Sequence, residues 1–396
     1  MKNIQIVAGI PSLNEEKTIR YVTESIDEGL IRYFPDYNSI IVNVDQSSDN
    51  TKNAFMNAQT HSPKKYIHTG YPPGKGRNLL ALLKYALSSN DVSKKVKYIF
   101  TIDSDVRSIR PDWVNKLLSP LITNEADYVT PLYVRNRYEA NTTNHFCFPI
   151  ISAIFNSEIR QPIAGEYAMN RNFAEYLLLQ NRNPEVNGYG IDPFFTIHAV
   201  GGKFRTTEVY LGRKIHNPSF GKIIPMFQQI AATTFYVISQ YKNNILQNFK
   251  NAKTESYRES FLKARIGVGG YIKRPSKEVI SERKKYINQQ LKSFLSKQDG
   301  YFLPLDRKVI HNSYEKQYLD AGSWVEILCE FLQYVINNNI TPSEATRLST
   351  IISPLYLIRV LSYYEEIENL KPEEIERVII NQKDLLKSRL KKSLTN

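Results

Sequence analysis

The sequence has no run of eighteen or more apolar residues, which excludes an ordinary membrane-spanning helix. Its two most apolar stretches, 146–155 and 223–238, are respectively too short and interrupted by Gln228-Gln229. Only two cysteines occur, Cys147 and Cys329, far apart and in apolar surroundings. They are too few for a disulfide scaffold or a structural zinc site. The N-terminal Met1-Lys2-Asn3-Ile4-Gln5-Ile6-Val7-Ala8 alternates like a strand and lacks the charged-then-apolar plan of a signal peptide. A soluble cytoplasmic protein with no membrane span is therefore expected. Zinc-finger spacing and an aromatic RNP-like strand are missing too, so no nucleic-acid module is read.

What is present is a globular composition. With 42% hydrophobic and 23% charged residues in 396, the chain can bury one large core or two ordinary ones. The net charge of +13 asks for an anionic partner: nucleic acid, an acidic membrane surface or a small phosphorylated substrate. Part of that excess is spread over C-terminal lysines such as Lys387, Lys391 and Lys392, where a solvated helix surface explains it equally well. Charge alone does not choose.

Residues 1–240 alternate short apolar runs with amphipathic stretches, the pattern of βα units. Strands are expected at Ile4 to Gly9, Ile40 to Val44, Lys97 to Ile102 and Glu208 to Leu211. The first leads into Pro11-Ser12-Leu13-Asn14-Glu15-Glu16, where Ser12 or Asn14 is suited to cap a helix. Three polar loops, 11–16, 45–51 and 103–105, then fall at one edge of the sheet, where open α/β sheets bind ligands. From 241 to 396 long amphipathic segments dominate: Glu278 to Lys297, Ala321 to Asn338, Pro342 to Glu365 and Pro372 to Leu394. This region reads as all-helical, and the chain is expected to divide at 240.

Asp103-Ser104-Asp105 closes the most apolar strand. Two carboxylates there are costly without a cation and suggest a hard metal with oxygen ligands; a capped turn is the plain alternative. Gly74-Lys75-Gly76 heads a helical stretch, a place for a phosphate. It is not a P-loop, because the loop from Gly70 is one residue short and Gly76 stands where Ser or Thr is needed. Gly267-Val268-Gly269-Gly270 does not follow a strand in a βαβ unit, so it is no dinucleotide fingerprint. The small residues of Ala164-Gly165-Glu166 suit a polyol pocket or a mere turn. Asp192 heads an apolar helix, as cap or as catalytic acid. His216, flanked by Arg213, Lys214 and Asn217, is a candidate metal ligand or phosphate contact.

Seven pieces occur in order: Pro11-x-Leu13-Asn14-Glu15-Glu16, Asp45 with Asp49, Pro73-Gly74-Lys75-Gly76, Ile102-Asp103-Ser104-Asp105, Gln161-Pro162-x-x-Gly165-Glu166-Tyr167, Gly188-Tyr189-Gly190-Ile191-Asp192 and Leu211-Gly212-x-x-x-His216. The series resembles the retaining GT-A glycosyltransferases that make glucosyl-3-phosphoglycerate, and their relatives the mannosylglycerate synthases. The resemblance covers residues 4 to about 236 and, more loosely, the helical tail. It implies a GT-A fold: an α/β chain with a mixed, mostly parallel sheet flanked by helices, plus an all-helical C-terminal region. It further implies transfer of glucose or mannose from a nucleotide-diphosphate sugar to a small anionic acceptor, glycerate or 3-phosphoglycerate.

By the same resemblance Pro11, Leu13, Asn14, Glu15 and Asp45 hold the nucleoside, and Gly74 and Lys75 the nucleotide phosphates. Asp103 and Ser104 meet the ribose or donor sugar, and Ala164, Gly165 and Glu166 frame the sugar. Asp105 and His216 ligate Mg²⁺ or Mn²⁺. Asp192 orients the acceptor hydroxyl, and catalysis falls to Asp192, Asp105 and Lys75. Two departures bear on the acceptor. The stretch 138–145 lacks the glycine-rich, arginine-bearing segment of the 3-phosphoglycerate enzymes, and Asn217-Pro218-Ser219 follows His216 where an arginine is expected. Arg135, Arg137 and Thr143, with Gly165, Asp192 and Asn217, are therefore the acceptor candidates. A lipid or saccharide acceptor, or sugar-nucleotide binding without turnover, are the competing expectations; nucleotidyl transfer lacks its Gly-Gly-x-Gly-x-Arg start. Whether the chain forms a homodimer stays open.

Overall fold

Among the described residues, seven strands lie in the order Lys64–His68, Ser39–Asp45, Ile6–Ser12, Tyr98–Thr101, Tyr167–Asn170, Tyr128–Asn136 and Thr206–Arg213, and an eighth pairs off that path. The computed structural model describes residues 3–70, 72–89, 92, 94–216, 223–251, 268–269, 274–296 and 304–395. The strands are β1 (Ile6–Ser12), β2 (Ser39–Asp45), β3 (Lys64–His68), β4 (Tyr98–Thr101), β5 (Tyr128–Asn136), β6 (Tyr167–Asn170), β7 (Thr206–Arg213) and β8 (Val268–Gly269). β1 pairs in parallel with β2 and β4, and β2 with β3, whereas β6 runs antiparallel to β4 and β5. The sheet is thus mixed and mostly parallel at its centre, and helices fill the intervals between strands.

Two compact units share the chain: Met1–Tyr133 with Ile159–Pro218, and Val134–Glu158 with Ser219–Asn396. This differs from a single division at 240. The reason is the segment Phe148–Phe155, an almost wholly apolar helix whose residues are buried along nearly their whole length. It packs on the helix Pro372–Thr395, so residues 134–158 belong with the C-terminal helices.

In the first unit the core lies between β1, β4 and the helices Ile19–Tyr33 and Pro111–Ile122, with Trp113 fully buried beside Tyr133 at 5.3 Å. β1 and β2 are buried along their whole length, as central parallel strands must be. In the second unit the helix Ile223–Gln240 packs along Pro342–Glu366, where Phe227 stacks on Tyr356 at 3.8 Å. Trp324 Nε1 donates to the His145 carbonyl at 2.7 Å, tying Ala321–Asn337 to the 143–147 turn. Among the described residues no helix is long and apolar enough to cross a membrane.

The parallel register sets the site. Ser12 pairs Asp45, Asp45 pairs His68, and Gly9 pairs Thr101, so the carboxyl ends of β1 to β4 align on one edge. Strand order reverses at β1, between β2 and β4, which makes the crevice there the switch point where α/β sheets bind ligands.

Candidate active site

The loops after β1 and β2 are zipped together. Asn14 N donates to Ser47 Oγ at 2.6 Å, Ser48 N to Asn14 Oδ1 at 2.9 Å, and Glu15 N to Thr51 Oγ1 at 2.8 Å. Asn14 adopts a left-handed φ of 59°, which asparagine tolerates, and Ser12 remains in β1. Neither caps the following helix, which starts at Ile19 after an N-cap Thr18. Pro11 is the penultimate residue of β1, and Leu13 stands 44% exposed, an apolar side chain offered to solvent at the crevice. Asp45 is completely buried, with Oδ1 accepting from Ser12 Oγ at 2.6 Å and from Ser47, and Oδ2 from Tyr66 at 2.9 Å. Expected to touch the nucleoside, it ties the loops after β1 and β2 together through these bonds. Burial and that carboxylate push the Tyr66 phenol up to about 12.

Deeper in the crevice a charged cluster forms. Lys75, first residue of the helix Lys75–Ser88, places its ammonium 3.2 Å from Asp103 Oδ1 and 3.2 Å from Asp192 Oδ1. Asp192 comes from the first turn of Ile191–Gly201, where its side chain makes no cap. Behind Asp103 stands Lys214, almost fully buried just past β7. Its ammonium reaches Glu166 at 2.6 and 2.8 Å, the Ala164 carbonyl at 3.1 Å and Asp103 Oδ2 at 3.3 Å. Glu166, fully buried, also accepts from Tyr133 Oη at 2.8 Å.

These surroundings move the acids in opposite directions. Burial pushes Asp103 up, but Lys75 and Lys214 outweigh it and hold the carboxyl at about 2. Burial raises Glu166 and Asp192 despite their lysine partners. Lys75 is driven upward, because three carboxylates outweigh its own burial. Gly165 is the hub: its φ is 108°, and a Cβ there would lie 2.6 Å from Asp103 Oδ2 and 3.0 Å from Lys214 Nζ. Only glycine fits both the backbone and the space.

Lys214 is the member of the cluster that sequence reasoning passes over. It lay inside the Leu211-to-His216 motif, but was read only as a neighbour of the histidine. Its position at the end of β7 is what turns it inward.

At the mouth of the crevice Asp105 Oδ2 and His216 Nδ1 stand 4.0 Å apart. The loop carrying His216 is strapped to the Asp105 loop by Arg107 N to the Ile215 carbonyl at 2.8 Å and Ile215 N to Ser108 Oγ at 2.9 Å. Among the described residues no group of three or more histidine, cysteine or acidic side chains is assembled for a metal. The pair nevertheless offers one carboxylate oxygen and one imidazole nitrogen, donors of the kind that hold divalent metals. Ser104 is buried between the two acids.

The acceptor candidates divide. Gly165 and Asp192 belong to the cluster. Arg135, Arg137 and Thr143 lie in the second unit. Arg137 is nearly buried and donates to the carbonyls of Ile367, Glu368 and Leu370 at 3.2, 3.4 and 3.0 Å, closing the C-terminus of Pro342–Glu366. That gives it a structural task at the end of this helix. Thr143 is buried in a π-helical turn, and Asn217 lies outside the described residues.

Residues 8–174 match the model of the family described as Glycosyl transferase family 2. The glucosyl-3-phosphoglycerate synthase of Petrotoga mobilis is 29% identical over 237 residues, 54% of this chain and 67% of the relative. The mannosylglycerate synthase of Selaginella moellendorffii is 28% identical over 159 residues, 39% of this chain and 36% of that one. Among solved structures, glucosyl-3-phosphoglycerate synthase from Mycobacterium tuberculosis in complex with Mn²⁺, uridine-diphosphate and phosphoglyceric acid aligns with a TM-score of 0.46. It is 25% identical, with 59% of this chain and 78% of that one covered.

Proposed function

Since the chain carries a family 2 glycosyltransferase domain and is a glycosyltransferase, we propose that it moves glucose or mannose from a nucleotide-diphosphate sugar to glycerate or 3-phosphoglycerate. The observation that carries this reading is the cluster at the β1/β4 crevice, with Lys75 at 3.2 Å from both Asp103 and Asp192. It offers a buried ammonium for a diphosphate beside two acids suited to sugar hydroxyls. The names of the relatives supply the acceptor class.

Each residue then has a task. Leu13, Asn14 and the backbone of Pro11 line the nucleoside end, with Asp45 holding the loops in place. Lys75 neutralises charge growing on the departing diphosphate, and fixed donors aimed at developing charge are the largest single contribution in most enzymes. Asp103, kept ionised by two lysines, accepts from donor hydroxyls. Asp192 accepts from the acceptor hydroxyl and holds it toward the anomeric carbon. With retention of configuration, the bond from that carbon to the acceptor oxygen forms on the face from which the phosphate oxygen departs. The acceptor proton passes to that phosphate oxygen. Asp105 and His216 would hold Mg²⁺ or Mn²⁺, which when bound neutralises the same diphosphate.

The test is a matrix of UDP-glucose and GDP-mannose against glycerate and 3-phosphoglycerate with Mn²⁺ or Mg²⁺, following nucleotide release. Release that requires one donor and one of these acceptors is expected; none from any pair would refute the acceptor class. Asp105→Ala should lower release at least a hundredfold and weaken Mn²⁺ binding measured by electron paramagnetic resonance. Wild-type values for that variant would refute the metal site.

A further inference from the structure

Gln46 follows β2 directly and has no role in the chemistry above. Its side chain spans the loop that leads into Lys75. Oε1 accepts from Gly74 N at 2.7 Å, and Nε2 donates to the Gly70 carbonyl at 3.0 Å and the Pro72 carbonyl at 3.4 Å. Gly74 is the N-cap of Lys75–Ser88 and supplies no side chain to cap it. A helix start leaves backbone N–H groups without intrahelical partners. Gln46 takes the amide at the cap from a strand end 28 residues away in sequence.

The same turn is held from two further directions. Gly76 N donates to the Gly188 carbonyl at 3.0 Å, and Asn78 Nδ2 to the Ser12 carbonyl at 3.2 Å. A Cβ on Gly74 or Gly76 would collide with the carbonyls of Asn187 and Val186, so the turn lies flush against that strip. Contacts at Gly76 and Asn78 fix the body of the turn, and the Gln46 amide fixes the chain that enters it. Lys75 lies between these anchors.

We infer that Gln46 is a positioning residue for Lys75: its side-chain amide clasps Gly70, Pro72 and Gly74 and so sets where the ammonium stands against the diphosphate. This rests on the reading of Lys75 as a diphosphate contact. Misplacement by about 1 Å is enough to cost two orders of magnitude in a preorganised site, so a residue that touches no substrate can carry a measurable effect.

The test is a double-mutant cycle on UDP and GDP binding by calorimetry in Mn²⁺, with wild type, Gln46→Ala, Lys75→Ala and the double variant, each checked by thermal melting. The nucleotide that binds should bind roughly tenfold more weakly to Gln46→Ala, with no further loss when the change is made on Lys75→Ala, because residues acting as one unit are not additive. Gln46→Glu keeps the acceptor for Gly74 N but turns its other carboxylate oxygen on the Gly70 and Pro72 carbonyls, so it should lose at least as much as Gln46→Ala; it also serves if the alanine variant melts early. An equal tenfold loss in the Lys75→Ala background would overturn the inference, as would unchanged binding in Gln46→Ala. If Lys75→Ala alone binds as tightly as wild type, the diphosphate role of Lys75 fails and the positioning role with it. The single lysine variant therefore separates one failure from the other.

Discussion

Lys214 shows how much a single ammonium can be asked to hold. It sits among Glu166, Asp103 and the Ala164 carbonyl, with the Tyr133 ring 5.4 Å away. Removing one partner of a buried ion pair leaves an uncompensated charge and costs about 3–5 kcal/mol. Lys214→Ala should lose stability of that order in urea denaturation, and a loss below about 1 kcal/mol would show that the pair is not buried as described. Another residue acts through pH. His198 is fully buried against Phe194 and Tyr176, and burial lowers its imidazole to about 3. A depressed histidine stays neutral in the folded chain and takes up a proton only on unfolding. The stability it leaves intact above pH 6.5 is therefore lost as pH falls toward 3, by about 1.4 kcal/mol per unit. His198→Gln should flatten that part of the melting-temperature profile, and an unchanged slope would reject the assignment. Motif residues such as Lys75, Asp103, Asp192 and Glu166 were legible from the chain because each lies in one of the seven ordered pieces that carry the resemblance. Lys214 and Gln46 were not, since one strand end and one side-chain reach are invisible without coordinates. A sequence likewise cannot show the protein partners that Asp45 and Arg137 each have.

Among elements, the strands expected at 4–9, 40–44, 97–102 and 208–211 appear as β1, β2, β4 and β7, and the C-terminal helices were as legible. The segments expected from Glu278, Ala321, Pro342 and Pro372 appear as Lys277–Ser296, Ala321–Asn337, Pro342–Glu366 and Pro372–Thr395. Their starts carry signals: Asp320 caps Gly322 N and Ser323 N, and Thr341 caps Glu344 N. By contrast β3 is a partly exposed edge strand beginning Lys64-Lys65, without the alternation that marks a half-buried strand. β5 contains Pro131, which argues against a strand, and β6 has only four residues. The helix Lys75–Ser88 offers the sharpest test at this scale. Gly76→Ala sets a methyl against the Val186 carbonyl, so the turn must shift away from it. Overpacking of that kind costs about 1–3 kcal/mol. The variant should also lose nucleotide affinity in calorimetry, in proportion to the displacement of Lys75. Full affinity together with full stability would mean that the 186–188 strip yields instead.

For the whole molecule, the fold class was readable and its partition was not. A chain that leaves one unit and returns to it gives no sign at residue 134, because the apolar run 148–155 looks the same whichever core receives it. Within the second unit that run lies under Pro372–Thr395, with Lys387 Nζ on Asn156 Oδ1 at 2.6 Å and His145 beside Gln382 at 3.3 Å. Deleting residues 372–396 should therefore uncover an apolar helix, and the shortened chain should elute as aggregates in size-exclusion chromatography. A monodisperse product would show that the cover is dispensable. The arrangement also sets a timetable for the newborn chain. Ribosomes add about 5–20 residues per second, so residues 148–155 leave the tunnel on the order of ten to fifty seconds before their covering helix exists. Through that interval the nascent polypeptide carries a greasy, unfinished surface of the kind that chaperones shield from aggregation.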